Sequence, residues 1–188
     1  ARKRAVRTPG RSLRSAKLGF STVSLVGVNW HEAEAYCRWL SAVSGREFRL
    51  PLELEWEKAA RWEPSPAGGG QGEGRSRVYP WGDEFDPRQC NSVEGQVYRT
   101  TPVGLYPGGV SPFGLWETSG NVWEWTASWY QAYPESESQR EEFGEKFRVV
   151  RGGSWGNIRS LLRCAFRFRS VPDYFFDNFG VRLVSPGL

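Results

Sequence analysis

Cysteine and histidine are the residues of this chain with the most versatile chemistry, because a thiolate or an imidazole can bind a metal or act in catalysis. The chain has three cysteines, Cys37, Cys90 and Cys164, and one histidine, His31. Three widely spaced cysteines cannot all pair, which argues against the disulfide framework of a small secreted protein. We therefore expect free, mostly buried thiols and a reducing compartment. One imidazole, in the first turn of a predicted helix, cannot build a histidine metal site.

Other catalytic groupings do not stand out in the sequence. No Ser/His/Asp set rises above chance. The Gly-rich run 68–74 has no strand before it and no helix after it, so it does not meet the pattern of a phosphate-binding loop.

The C-terminal segment 148–184 alternates two kinds of position. A regular frame of Arg, Gly, Trp and Pro-Asp residues begins with the motif Arg-Gly-Gly-Ser-Trp at 151–155. Between the frame positions lie residues whose polarity does not follow the pattern expected of a soluble surface. They include Phe166, Phe168, Tyr174, Phe175 and Phe176. This pattern indicates a scaffold that holds a display surface.

Two helices are predicted ahead of this segment. Asn29 and Glu32 form a capping box, and apolar residues then recur at three- and four-residue steps as far as Gly45. A short strand is predicted over 47–50, and Pro51 begins the second helix. Leu52 stands at its capping position, which weakens the helix start.

Short strands are predicted near 101–105, 122–126, 147–152, 163–169 and 180–184. Segment 63–77, rich in Gly, Pro and Ser, is predicted to be a flexible insertion, and the Glu-rich segment 131–147 a second solvated loop. Two helices, short mainly antiparallel strands and much irregular chain predict an α+β fold.

The charge is unevenly distributed along the 188 residues. Residues 1–17 carry seven basic groups and no acid, which leaves 18 basic against 21 acidic groups in the remainder. We interpret 1–22 as a basic linker or arm from a larger parent protein, followed by one domain at 23–188. Such an arm can also bind nucleic acid, and we expect no other nucleic-acid contact. Neither a membrane segment nor a signal peptide is recognised.

Four motifs occur in a familiar order: 50–57, Tyr-Pro-Trp-Gly at 79–82, Gly-Asn-Val-Trp-Glu-Trp at 120–125, and the frame that begins at Arg151. Over about 23–184 the chain resembles the formylglycine-generating enzyme (sulfatase-modifying factor) family, which has a C-type-lectin-like fold. Within that family it resembles the variable proteins of diversity-generating retroelements. The resemblance implies a C-type-lectin-like domain with a variable region at about 148–184.

The family includes two kinds of redox enzyme, and the sequence lacks the metal ligands of both. Formylglycine-generating enzymes hold copper with a cysteine pair in the segment after the Arg-Gly-Gly-Ser-Trp motif, and 156–163 contains no cysteine. Related iron enzymes that make sulfoxides use several histidines. Cys164 matches a structural cysteine of the family. In family members with disulfides, the partner of Cys37 would lie near Leu183 and the partner of Cys164 near Ala60, and both partners are missing. We therefore expect no copper, no iron and no enzymatic activity.

Calcium is the one metal that the resemblance supports. The family binds a structural Ca²⁺ at the Gly-Asn-x-Trp-Glu-Trp turn, through two side chains and two backbone carbonyls, and oxygen ligands suit this hard ion. The matching residues are Glu117, Gly120, Val122 and Glu124, although Glu117 is one methylene longer than the usual Asp or Asn. The alternative is that Glu124 pairs with an arginine in the core.

Retroelement diversification acts on Asn codons, which can then never encode Trp, Met, Gln, Lys or Glu. None of the candidate positions holds one of these residue types. The resemblance gives the variable, ligand-binding positions as Gly156, Asn157, Ile158, Ser160, Leu161, Phe166, Phe168, Ser170, Val171, Tyr174, Phe175, Phe176 and Asn178. The fixed candidates are Arg151, Gly152, Gly153, Trp155, Arg163, Arg167, Arg169, Pro172, Asp173, Gly180 and Arg182.

Pattern and resemblance disagree about 166–169, Phe-Arg-Phe-Arg. Strand alternation alone places both phenylalanines in the core and both arginines in water. The family frame predicts the reverse, with Arg167 and Arg169 turned inward to carboxylates such as Asp173 or Glu124. We adopt the second prediction, and expect one contiguous exposed aromatic patch that extends to 174–176.

Two classes of function follow. The first is a non-enzymatic domain whose hypervariable C-terminal surface binds an unknown protein or other macromolecule. The alternative is a copper-dependent oxidase of the formylglycine-generating type, or another redox enzyme of this fold. Unpaired cysteines favour the cytoplasm, whereas a signal in a parent protein would allow display at the cell surface.

Overall fold

The first helix begins at the predicted capping box. A computed structural model describes residues 24–63 and 74–186, and in it α1 spans Trp30–Ser44. The Asn29 side chain accepts a hydrogen bond from the Glu32 amide, and the Glu32 carboxylate accepts one from the Asn29 amide. Gly45 ends the helix in the left-handed conformation, at φ 69°. The buried face of α1 consists of Trp30, Ala33 and Cys37.

The second helix, α2, spans Glu53–Arg61 and begins two residues after Pro51. Its start has half of a capping box, because the Leu52 amide donates to the Glu55 carboxylate and the Leu52 side chain accepts nothing. The Glu53 amide donates instead to Ser128 Oγ at 3.0 Å. Trp56 and Ala60 are buried on the inner face of the helix.

A hairpin follows α2, where a flexible insertion was predicted over 63–77. Strand β1, Trp62–Glu63, pairs antiparallel with β2, Arg75–Ser76. The interior of the insertion, 64–73, and the basic arm 1–22 lie outside the described residues.

One four-stranded sheet organises the rest of the fold. Its strands are β3 (Trp123–Trp129), β4 (Arg148–Arg151), β5 (Arg167–Ser170) and β6 (Phe179–Val181), in the order β5-β4-β3-β6. The pairs β3·β4 and β4·β5 are antiparallel, and β3·β6 is parallel. The predicted strand near 47–50 is reduced to a bridge between Arg49 and Val184. The α+β prediction is confirmed.

The sheet lies between the two helices and presents them with different faces. Towards α1 the face is apolar, and Trp123, Trp125, Val150 and Phe179 pack there with the buried face of that helix. Towards α2 the face carries Glu124 and Arg151, which are register partners in β3 and β4. Because strand side chains alternate, one sheet serves an apolar core and a charged layer.

One strand prediction was wrong, and another was wrong in extent. Segment 101–105 forms turns, with Gly104 at φ 88° and the Leu105 amide donating to the Pro102 carbonyl. The strand predicted at 163–169 begins only at Arg167, because a 3₁₀ turn at Arg159–Leu161 and further turns occupy the chain before it. Among the described residues, no helix is long and apolar enough to cross a membrane.

Candidate functional site

The frame of the C-terminal segment is held by close backbone packing. Gly152 and Gly153 adopt φ of 92° and 73°, in the region that favours glycine. At Gly180, a Cβ atom would come within 2.6 Å of the Leu25 carbonyl oxygen. Arg151, between the core and α2, is fully buried. These positions tolerate little change, as expected of a scaffold.

The thirteen predicted variable positions lie at the surface or half-buried, and none is buried. The exposed ones are Gly156, Ile158, Ser160, Phe168, Val171, Tyr174, Phe175 and Phe176. The half-buried ones are Asn157, Leu161, Phe166, Ser170 and Asn178. Two of the fixed candidates, Arg163 and Asp173, are also exposed. The frame is therefore less uniformly internal than the sequence suggested.

Half of the exposed set is aromatic. Phe175 and Phe176 expose 64% and 54% of their surface, and Tyr174 stacks on Phe176 with ring centroids 6.4 Å apart. Phe168 exposes 41% and lies 5.4 Å from the buried Trp123. We call Phe168, Tyr174, Phe175 and Phe176 the display face. The predicted exposure of all four is confirmed.

Some half-buried variable positions also support the local fold. Asn157 Oδ1 accepts hydrogen bonds from the amide and hydroxyl of Ser154, at 2.9 and 2.7 Å. Asn178 Nδ2 donates to the same hydroxyl at 3.1 Å. Phe166 packs against the core beside Trp123, so its predicted outward position is only half realised.

The arginines of β5 face the charged layer of the sheet. Arg167 makes two hydrogen bonds to the buried Glu53 of α2, at 2.7 and 2.5 Å, and Arg169 reaches Glu142 at 2.5 Å. Arg167 is inward, as the family frame predicted, with 15% of its side chain exposed, while Arg169 exposes 30%.

The partners predicted for these arginines were wrong. Glu124 is taken by Arg182, which contacts both of its carboxylate oxygens at 2.7 and 2.8 Å. Asp173 is exposed and lies 3.5 Å from His31. The actual partner of Arg167, Glu53, also holds Arg151. The signal missed in the sequence is the spacing of Glu53 and Glu57, which places two carboxylates on one face of α2, where both meet Arg151.

The turn predicted to hold calcium contains one carboxylate without a cationic partner among the described residues. Glu117 accepts a hydrogen bond from the Gly104 amide at 3.3 Å, and burial, with a smaller effect of the nearby Glu124, raises its pKa to about 7. Glu124 is buried and accepts from Trp56 Nε1 at 2.6 Å as well as from Arg182. A hard cation at this turn would meet the carboxylate of Glu117 and would share Glu124 with Arg182.

The thiols occupy environments that suppress reactivity. Cys37, Cys90 and Cys164 are unpaired and buried, as predicted. Desolvation raises the pKa of Cys90 and of Cys164 to about 12, so both are protonated thiols at neutral pH. Cys164 Sγ lies 3.7 Å from the Ala60 carbonyl oxygen, where the family disulfide would have its partner.

Comparison with known proteins gives a consistent family. Residues 7–186 match the family described as "Sulfatase-modifying factor enzyme 1-like domain". Hercynine oxygenase of Mycobacterium tuberculosis is 42% identical over 147 residues, which cover 74% of this chain and 31% of that protein. Inactive C-alpha-formylglycine-generating enzyme 2 of Bos taurus is 36% identical over 192 residues, covering 94% of this chain and 54% of that protein. The chain thus spans about a third to a half of the length of these relatives.

Solved structures agree on the fold. Treponema denticola variable protein 1 superposes with a TM-score of 0.71 at 21% identity, covering 94% of this chain and 77% of that one. PvdO from Pseudomonas aeruginosa superposes with a TM-score of 0.66 at 25% identity, covering 85% and 60%.

Proposed function

The chain belongs to the sulfatase-modifying factor enzyme 1-like domain family, and on that premise we propose that it is a non-enzymatic recognition domain. Its display face binds a protein or another macromolecule. The observation that carries this proposal is the division of the C-terminal segment, in which none of the predicted variable positions is buried while Arg151, Gly152, Gly153 and Gly180 are buried.

Exposed aromatic groups on a rigid frame suit recognition. Tyr and Phe give large contact areas with few side-chain torsions to order on binding, as in antibody binding sites. A cluster of exposed apolar side chains costs solubility, so its presence indicates an interaction surface.

We further propose that a retroelement diversifies these positions. The support is that residues excluded by Asn-codon mutagenesis do not occur at any of them. The nucleotide sequence provides the test, because a template repeat that differs from the coding segment only at adenines is expected nearby. Without such a repeat, the recognition proposal would stand and the diversification proposal would not.

The alternative is a redox enzyme, which the identity to hercynine oxygenases favours. Against a copper oxidase stands the state of Cys164, which is fully buried with a pKa of about 12. Within this chain, a histidine-held iron would have only His31 as a ligand, and His31 is exposed. Turnover of a cysteine peptide that requires both added copper and Cys164 would overturn the recognition proposal.

A structural calcium ion is part of the same proposal. Glu117 and Glu124 would supply carboxylate oxygens and Gly120 and Val122 backbone carbonyls. The support is the half-buried carboxylate of Glu117, which forms no salt bridge within the described residues and whose pKa is raised by desolvation.

The display face is tested by matched substitutions at exposed positions. Once a partner has been captured and identified, titration calorimetry measures its affinity. Phe175→Ala and Phe168→Ala are each expected to lower this affinity at least tenfold, which corresponds to about 1.4 kcal/mol. Leu54→Ala is the control, because Leu54 is 65% exposed on α2, close to the 64% of Phe175. All three changes should alter the free energy of unfolding by about 1 kcal/mol or less. Equal affinity of the Phe175, Phe168 and Leu54 variants would refute this assignment of the surface.

A further inference from the structure

A pocket of about 510 Å³ lies between segment 130–143 and segment 163–167, which leads into β5. Tyr130, Tyr133 and Phe143 line it from the first side, and Arg163 and Phe166 from the second. The volume falls within the range of small-molecule sites. Neither the calcium turn nor the fixed motifs 79–82 and 120–125 contribute to its lining.

Charge in this pocket has one sign. Among the described residues, its charged lining residues are Arg140, Arg163 and Arg167, and no Asp or Glu lines it. Arg167 is neutralised by Glu53 of α2. Arg140 and Arg163 form no salt bridge within the described residues, although most arginines of the sheet and α2 do. Two uncompensated guanidinium groups therefore border one cavity.

Arg163 is oriented and still has donors to spare. Its Nε donates to the Ser160 carbonyl at 3.0 Å, which fixes the stem of the guanidinium. Its two terminal nitrogens form no hydrogen bond within the part of the chain that the structure describes, so they can bind a ligand. Ser136 and Ser138 add hydroxyl groups on the side of Arg140. A guanidinium fork with neighbouring hydroxyls matches the geometry of carboxylate and phosphate oxygens.

The walls are partly aromatic. Arg167 lies 4.3 Å from the Tyr133 ring centroid and 4.8 Å from that of Tyr130, which ties both rings to the charged layer of the sheet. Phe143 packs on Tyr130 at 5.4 Å. These rings offer flat apolar surface to the body of a ligand whose anionic group lies at the arginines.

We propose that this pocket binds a small organic oxyanion, a carboxylate or phosphate ester on a planar apolar body, through Arg140 and Arg163. The site is separate from the display face, and the inference does not depend on what that face recognises.

Titration calorimetry on the whole chain tests the proposal, with phenyl phosphate and benzoate as probes and inorganic phosphate and phenol as single-feature controls. We expect one of the two aromatic anions to bind saturably, and which of them binds separates phosphate from carboxylate recognition. Inorganic phosphate and phenol should each bind at least tenfold more weakly.

Substitution of the arginines locates the binding. Arg140→Gln and Arg163→Gln should each weaken the bound anion at least tenfold, whereas Arg38→Gln, which removes the same charge from an exposed site on α1, should have no effect. Phe175→Ala should leave anion affinity unchanged, so failure of the display face and failure of this site are distinguishable. The proposal is overturned if neither aromatic anion binds below about 10 mM, or if the Arg38 variant loses as much affinity as the pocket variants. Inorganic phosphate binding as tightly as phenyl phosphate would overturn the role of the aromatic walls.

Discussion

Arg167 and Arg169 are residues of the same type in one short strand, but they are expected to contribute unequally to stability. Both point to the α2 side of the sheet, but Arg167 meets a carboxylate that is 6% exposed, and Arg169 meets Glu142 at the edge, where the carboxylate is 36% exposed. Removing one partner of a buried pair leaves a desolvated charge, whereas a pair screened by water contributes little.

We therefore predict unequal costs for the two alanine substitutions. Arg167→Ala should destabilise the domain by about 2–4 kcal/mol, since Glu53 then retains, among the described residues, only Arg151 as a charged partner. Arg169→Ala should cost about 1 kcal/mol or less. Urea denaturation with an unchanged dependence on denaturant measures the difference. Equal midpoints for the two variants would show that the charged layer does not act through burial.

The sequence predicted the direction of the β5 arginines and missed their partners for a physical reason. Alternation and the family frame are local properties, readable within 148–184. The pairing of Arg167 with Glu53 joins residues 114 positions apart, and it depends on how α2 docks on the sheet. The outward position predicted for Phe166 was only partly right for the same reason, because its partial burial comes from Trp123 on another strand.

At the scale of elements, the start of α2 carries a correctable weakness. Leu52 is exposed at the N-cap with its backbone already at φ −66° and ψ 153°, an extended conformation suited to a capping residue. Leu52→Thr should supply the missing acceptor for the Glu55 amide and stabilise the domain by about 0.5–1 kcal/mol.

Leu54→Thr is the matched control for this prediction. Leu54 is also exposed, but it lies inside α2, where threonine gains no cap and lowers helix propensity by about 0.5 kcal/mol. Thermal unfolding of both variants measures the difference. If both shift the melting temperature equally, surface hydrophobicity and not capping is responsible.

The elements themselves were predictable to different degrees. Capping box and periodicity placed α1 within a residue, because both signals lie inside the helix. The hairpin β1·β2 was missed because the Gly-rich composition between its strands dominates the local pattern, while the two-residue strands carry none of their own. Segment 131–147 was predicted to be solvated, yet Glu142 and Phe143 reach back to the sheet region through Arg169 and Tyr130.

At the scale of the molecule, the sheet separates stability from recognition. Its α2 side buries Arg151, Arg167 and Glu53 in one charged cluster, while Phe166 and Phe168 emerge on the opposite side at the β5 edge. Substitution at Phe168 therefore changes the surface without touching the charges that hold α2. This arrangement explains how a display face can vary while the fold persists.

A structural calcium ion would stabilise the whole domain. A ligand that binds only the folded state raises stability by mass action, and at a hundredfold excess over its Kd the gain is about 2.7 kcal/mol, or roughly 5–10 °C in melting temperature. We expect chelation to lower the melting temperature by this amount and added Ca²⁺ to restore it.

Glu117→Gln is the decisive variant, because Glu124→Gln would also break the Arg182 ion pair and destabilise the domain with or without an ion. With an ion in place, Glu117→Gln should abolish the response to calcium and lower the melting temperature. If calorimetry shows no response to chelator, and Glu117→Gln raises the melting temperature by removing a partly desolvated carboxyl, then Glu124 belongs to an ion pair with Arg182 alone.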